Sequence, residues 1–298
     1  MINVLNSLLI KTITLMPKSI VRLFAGKYVA GENHSTALST VKSLNHQGFA
    51  ATIDILGEHV ATEQEATVIT QRYANLYEKI ALQKLEANLS IKLTHIGQDL
   101  GKKVVKNNLM TLVNAAKKYN NFLRLDMENS PYTSETISLY NEAFKNYSNI
   151  GIVLQAYMHR SIDDINELAD DSFNVRICKG IYVENENIAI KDYQEIRANY
   201  IKLVQVALQK GSYVGIASHD EYLIDTIYSW NNKDLNVLDS FNNLPNLLFH
   251  GKDGSGKKSL IRMFLKRIFG KDLKSIKVNY QIKGYGSNNL ELEISQSL

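Results

Sequence analysis

One cysteine, Cys178, stands in 298 residues. A lone thiol excludes an intramolecular disulfide and fits a reducing compartment, so a cytoplasmic location is expected. The seven histidines are scattered and form no zinc spacing with it, so no metal is expected. Long hydrophobic runs are missing too: no uncharged stretch approaches the ~18 residues of a membrane span. Met1–Pro17 is apolar but carries Lys11, with no basic n-region and no small-residue cleavage site, and is not read as a signal peptide. It reads as a helix packed on its own domain; a helix resting on a membrane surface is the other reading.

What is present suffices for a sizeable core. At 45% hydrophobic residues, the chain can form one barrel-type domain or two smaller ones. The net charge of +4 hides an asymmetry. From Trp230 onward there are 11 Lys/Arg against 6 Asp/Glu, or +5, which leaves 4 − 5 = −1 for the rest. A near-neutral body suits a small-molecule enzyme. A basic tail suits phosphate or polyanion contact, though a solvated helix surface has the same composition.

Six short runs rich in Ile, Leu and Val read as buried strands: residues 50–56, 89–94, 122–126, 151–157, 174–178 and 213–217. Helical stretches between them are read at 63–85, 133–147 (after Pro131, with Thr133 or Ser134 as cap), 162–169 and 188–209, the last closed by Gly211. Alternation of this kind gives either a closed (β/α)8 barrel or an open doubly wound sheet. No strand in this part is followed by G-x-G-x-x-G, which weakens the second. Polar residues collect where strands end: Glu58, Lys92 with His95, Asp126 with Glu128, Gln155 with Tyr157, Lys179, and Ser218-His219-Asp220. A barrel builds its active site at such ends, but a barrel needs eight strands and the periodicity supplies six.

Arg176 and Lys179 flank one strand end, followed by Gly180 and Tyr182. Two cations beside a glycine can stabilise an electron-rich ring or a phosphate; solvated charges at a strand end are the plainer reading. Strict alternation puts the two cations on opposite faces unless Lys179 already lies in the loop. Asp126 and Lys92 end successive strands and are candidates for a buried pair, of catalytic or purely structural kind. His219 reads equally well as a ligand contact or a satisfied structural histidine.

The ordered set Leu56-Gly57-Glu58, Ile91 to Thr94, Arg124 to Glu128, Gln155-Ala156-Tyr157, Arg176 to Tyr182 and Ala217 to Asp220 resembles the single-function proline dehydrogenases over about residues 1–228. The resemblance implies a distorted barrel with FAD at the strand C-termini. It implies oxidation of L-proline to 1-pyrroline-5-carboxylate and electron transfer to a quinone at a membrane, with peripheral membrane contact. By the same resemblance, Lys92 sits by the proline carboxylate, Asp126 shapes the substrate pocket as its acid, and Arg176 lies against the flavin near N5. Met127, Gln155, Lys179, Gly180 and Ile181 line the flavin, Ser218 and His219 meet its pyrophosphate side, and Tyr182 helps wall the proline site. Ile181 and Ser218 depart from the family's usual Ala and Thr. Glu58 matches a glutamate that pairs with one of two adjacent arginines in the family. No Arg-Arg occurs in this sequence, so an unpaired, costly carboxylate is expected here.

Beyond an Asn-rich joint, Leu244 to Gly251 reads as a strand, Gly251 to Lys257 as a glycine loop, and Leu260–Phe269 as an amphipathic helix. This is the order of a P-loop, with Gly254, Gly256 and Lys257 as candidate phosphate ligands. Lys258 replaces the magnesium-binding hydroxyl, and Ser259 comes one residue late. Residues 242–298 resemble the opening of a clamp-loader subunit, a replication factor C small subunit, without its Walker B segment or arginine finger. The expected architecture is therefore α/β: a (β/α)8-type barrel over 1–229 lacking its last two β/α units, then a partial P-loop segment over 230–298. Proline oxidation by the chain as written is expected to be weak or nil, and nucleic acid is not expected as a partner. Two further readings remain: a P-loop nucleotide-binding, clamp-loader-like protein of DNA replication, and a non-catalytic flavin-binding remnant.

Overall fold

In the computed structural model, residues 33–230 are described; Met1–Pro17 and the P-loop stretch, with its candidates Gly254, Gly256 and Lys257, lie outside them. Six parallel strands follow one another in sequence order: β1 (Ala51–Ile53), β2 (Ala87–Ile91), β3 (Leu123–Leu125), β4 (Ile150–Gln155), β5 (Asn174–Cys178) and β6 (Tyr213–Ala217). Seven α-helices flank them: α1 (His34–His46), α2 (Glu63–Leu82), α3 (Lys102–Lys118), α4 (Ser130–Asn146), α5 (Ser161–Leu168), α6 (Tyr193–Gln209) and α7 (Glu221–Trp230).

Register sorts the strands into two faces. Leu89, Leu123 and Ile150 align, as do Ile91, Leu125, Ile152, Val175 and Val214. These positions are mostly buried against the helices, where Tyr73, Tyr77 and Tyr200 also pack. Each of those phenols puts its polar tip on a partner, Tyr77 on the Phe122 carbonyl at 3.0 Å and Tyr200 on the Ile177 carbonyl at 2.7 Å. Burial of the ring therefore leaves no hydroxyl unpaired. The intervening positions carry Asn88, Ser90, Arg124, Asp126, Asn174 and Arg176, so the inner face is polar along β2, β3 and β5, while β3 and β4 are buried on both faces as expected.

The polar face is concave. Tyr182, after β5, donates to Glu58, after β1, at 3.1 Å. Four strand spacings in a flat sheet would separate those loops by ~19 Å. Only a curled sheet brings them together, which is the geometry of part of a (β/α) barrel.

Several boundaries differ from the periodicity for local reasons. β2 stops at Ile91 because the chain turns into a 3-10 segment at Thr94–Ile96 ahead of Gly97, whose φ is 101°. α2 ends at Leu82, before Lys84 at φ 51°. α4 begins at Ser130 with Asn129 as N-cap and proline in its first turn, so Thr133 and Ser134 lie inside it and do not cap it. α6 starts at Tyr193, not 188, because the Asp192 side chain caps the amides of Gln194 and Glu195. Gly211, at φ 82°, follows its end as expected.

Candidate active site

The site grows from the inward positions of the strands. Arg176 on β5 reaches across to Asp126, just past β3, and its Nη2 lies 3.4 Å from Ser90 Oγ on β2. Ser90 donates to Asp126 Oδ1 at 3.0 Å. Below this layer Arg124 donates to the Ile152 carbonyl at 3.2 Å and to Asn174 Oδ1 at 2.8 Å, and stacks 4.6 Å over the Phe122 ring. Burial pulls the Arg124 pKa down to about 9, and the neighbouring Arg176 charge adds to this. The concave face thus has a closed polar floor, with a charged pair above it.

Beside that pair, Lys92 follows β2. Its ammonium sits 3.2 Å from Asp54 and 3.8 Å from Glu58. Asp54 also accepts the Tyr73 hydroxyl at 2.7 Å, so its own position is set from α2. Burial would lower the Lys92 pKa, but the carboxylates of Asp54, Asp126 and Glu58 outweigh it and raise the value. The expected Lys92–Asp126 pair is replaced by two others, Lys92–Asp54 and Arg176–Asp126, because the inward parity of Asp54 and Arg176 sets each nearer its partner. Nor is Glu58 an unpaired buried carboxylate. Its side chain is 35% exposed and has Tyr182 and Lys92 as partners.

Around the rim, Glu128 accepts from the Thr94 amide at 3.1 Å and from its hydroxyl. Burial raises the Glu128 pKa against those bonds. His59 Nδ1 meets Asp99 at 2.8 Å, and this hydrogen bond is the main cause of a raised His59 pKa. One ligand atom each from Glu58, His59 and Glu128 fall within 4.8 Å of one another.

At the β5–β6 end, Lys179 lies just past its strand, as alternation required, and pairs with Asp220 at 2.5 Å. It therefore has a different partner from Arg176. Gly180 adopts φ 111°, and a Cβ there would stand 2.2 Å from the Tyr157 ring. The glycine thus serves backbone geometry and a close aromatic packing. Ile181 and Val183 next to it are 86% and 99% exposed. Met127 and Gln155 are 7% and 2% exposed, and Gln155 donates to the Glu128 carbonyl at 2.8 Å. Ser218 Oγ accepts the Asp220 amide at 3.1 Å, while His219 is exposed.

Sequence reasoning missed Asp54, Ser90, Tyr193 and Arg197. Asp54 and Ser90 were hidden as single polar letters within apolar runs, and their inward parity was the available signal. Arg197 lies within a helix, 23 residues from the carboxylate it holds, and carries no local signal.

A family model described as proline dehydrogenase matches residues 37–242. This chain belongs to the proline dehydrogenase family. Proline dehydrogenase 1 of Bacillus subtilis strain 168 is 35% identical over 215 residues, covering 72% of this chain and 71% of that protein. The proline dehydrogenase of Deinococcus radiodurans is 31% identical over 208 residues, covering 68% and 67%. Among solved structures, proline utilization A from Bdellovibrio bacteriovorus, inactivated by N-propargylglycine, superposes with a TM-score of 0.65 at 24% identity. It covers 73% of this chain, which spans 28% of that much longer protein, and the likeness concerns the fold. The chain is thus an oxidoreductase of this family. Among the described residues, no helix is long and apolar enough to cross a membrane.

Proposed function

We propose that the chain binds FAD and oxidises L-proline to 1-pyrroline-5-carboxylate in proline catabolism, with a quinone as electron acceptor and peripheral contact with a membrane. The observation that carries the reading is the pair of ion pairs on one concave face, Lys92–Asp54 beside Arg176–Asp126. Lys92, kept charged by three carboxylates, offers a cation to an amino-acid carboxylate. Asp126 faces the same space and suits the ring ammonium of the zwitterion. Tyr182 and Glu58 close one side of that space. Orienting a small zwitterion in this way is the main task such a site must perform.

The donor set suits FAD. Arg176 and Lys179 supply positive charge, and the exposed Ile181 supplies apolar surface for a flat ring system. Ser218 and His219 stand at the adjoining β6 end within reach of solvent. When bound, FAD would take up the two electrons that leave proline with the hydrogen on the carbon beside nitrogen; the nitrogen also gives up a proton, and the product is the cyclic imine. Arg176 would hold positive charge beside the cofactor, and Lys92 would keep the carboxylate fixed.

Residues 1–229 would form this flavoprotein part and 230–298 a separate P-loop-like segment resembling a clamp-loader opening. The test is to express the full chain, record its absorbance across the flavin bands, and measure proline-dependent dye reduction. Flavin bands with turnover support the reading. Flavin without turnover leaves a flavin-binding remnant. No flavin uptake removes the dehydrogenase function from this chain.

A further inference from the structure

Asp220 gathers side chains from two other elements. Arg197 on α6 donates Nε and Nη2 to its two oxygens at 2.8 and 2.7 Å. The Tyr193 hydroxyl donates at 2.7 Å and Lys179 at 2.5 Å. The Asp220 side chain is only 3% exposed, whereas those of Lys179 and Arg197 are 25% and 21% exposed. Both cations also lie 4.4 Å from the Tyr193 ring centroid. One carboxylate between two cations leaves the group with a net positive charge.

The arrangement constrains the lysine. Its ammonium carries three protons. One goes to Asp220 and one to the Tyr193 hydroxyl at 2.9 Å. With two of its tetrahedral directions taken, the third N–H has a single direction left. A lysine on a free four-carbon stem would lose that definition and would have to be ordered each time a ligand bound.

We propose that Asp220, locked by Arg197, is a positioning residue that aims the free N–H of Lys179 at bound FAD. The proposal rests on the flavin reading given above and goes beyond it, because neither Asp220 nor Arg197 belongs to the residues expected to touch the cofactor. Asp220 has a second task that must be kept apart from this one. Its Oδ1 accepts the Tyr222 amide at 3.1 Å at the start of α7. Asparagine keeps the cap oxygen and the shape, but its NH2 replaces the oxygen that accepts from Lys179, Tyr193 and Arg197 Nε, so the charge and the hold on Lys179 are lost together.

The direction of the effect separates aim from charge. Asp220→Asn makes the group more positive. If charge alone mattered, the anionic cofactor would bind more tightly; if aim matters, it binds more weakly. The experiment is a double-mutant cycle on the full chain, with FAD titrated into apoprotein and followed by quenching of flavin fluorescence, and with thermal unfolding of each apoprotein alongside. Asp220→Asn and Lys179→Met should each weaken FAD binding by roughly tenfold. In the Lys179→Met background, Asp220→Asn should change the affinity by less than about twofold. An equal loss in both backgrounds, or a gain in affinity on Asp220→Asn, overturns the proposal. If Asp220→Asn does not fold, Arg197→Lys enters the same cycle, and the same non-additivity is expected. Absence of FAD binding by the unmodified chain overturns the flavin reading, and with it this proposal. Binding with additive effects overturns the proposal alone.

Discussion

Asp54 illustrates what one carboxylate can do from the inner face of a strand. It holds Lys92 at 3.2 Å and is itself held by Tyr73 at 2.7 Å. Asp54→Asn keeps the Tyr73 contact and weakens the grip on the ammonium. A charge-assisted bond of this kind is worth ~1.5–3 kcal/mol. In an active enzyme the KM for proline should therefore rise by roughly 10- to 100-fold, with kcat changed less, because the loss falls on binding of the carboxylate. Steady-state kinetics at varied proline check this; a fall in kcat at constant KM would refute it. At the rim, His59 gives a prediction in pH. Its folded pKa is raised above the ordinary 6.5, chiefly by the bond from Asp99. The stability it contributes is therefore fully present below 6.5 and is lost as pH rises through the folded value. An NMR titration should give a His59 midpoint above 6.5, and Asp99→Asn should bring it down. A midpoint unmoved by that substitution would show that Asp99 is not the cause.

At the scale of the element, β4 depends on a glycine. A Cβ at Gly151 would lie 2.5 Å from the Asn174 carbonyl oxygen and 2.7 Å from both the Arg124 guanidinium and the Phe122 ring. The carbonyl belongs to the neighbouring backbone and cannot swing away. Gly151→Ala should therefore cost about 2 kcal/mol or more, read as a fall in the urea midpoint at unchanged slope. A neutral outcome would mean that β4 can slide relative to β5. The same elements show how far the sequence could be read. β5 and β6 fall where their apolar runs lie, because alternating Val and Ile leave little choice of register. α3 is not legible in the sequence. Its start is Gly101, with no side-chain cap, and a lysine-rich first turn hides the buried stripe of Val105, Leu109, Leu112 and Val113. Of the site, Lys92, Asp126, Arg176 and Lys179 were legible as residues, but their pairing was not. Partners such as Asp54 and Asp220 depend on which strands curl together, and curvature leaves no mark in a single strand's letters.

Across the described unit, the loops after the strands are joined to one another and to neighbouring helices. Glu58 meets Tyr182, Glu184 accepts from the Ser130 amide and hydroxyl at 2.6 and 2.8 Å, and Asp220 binds Lys179 and Arg197. A cofactor seated among these loops would add links between the β1, β5 and β6 ends that the protein alone makes through few bonds. Such a ligand binds the folded state only, so it stabilises by mass action. At free FAD one hundred times its dissociation constant, the gain is ~2.7 kcal/mol. With roughly 2–4 °C per kcal/mol for a domain of this size, the unfolding midpoint should rise by about 5–10 °C. Riboflavin, which lacks the pyrophosphate, should give a smaller shift at the same concentration, because the cations at the β5–β6 end would have no anion to meet. Differential scanning fluorimetry confounds flavin emission with the reporter dye, so circular dichroism at fixed heating rate is the appropriate measurement. Equal shifts for the two flavins would mean that the Lys179–Arg197 group takes no part in holding the cofactor, and no shift with either would mean that these loops do not form a flavin site.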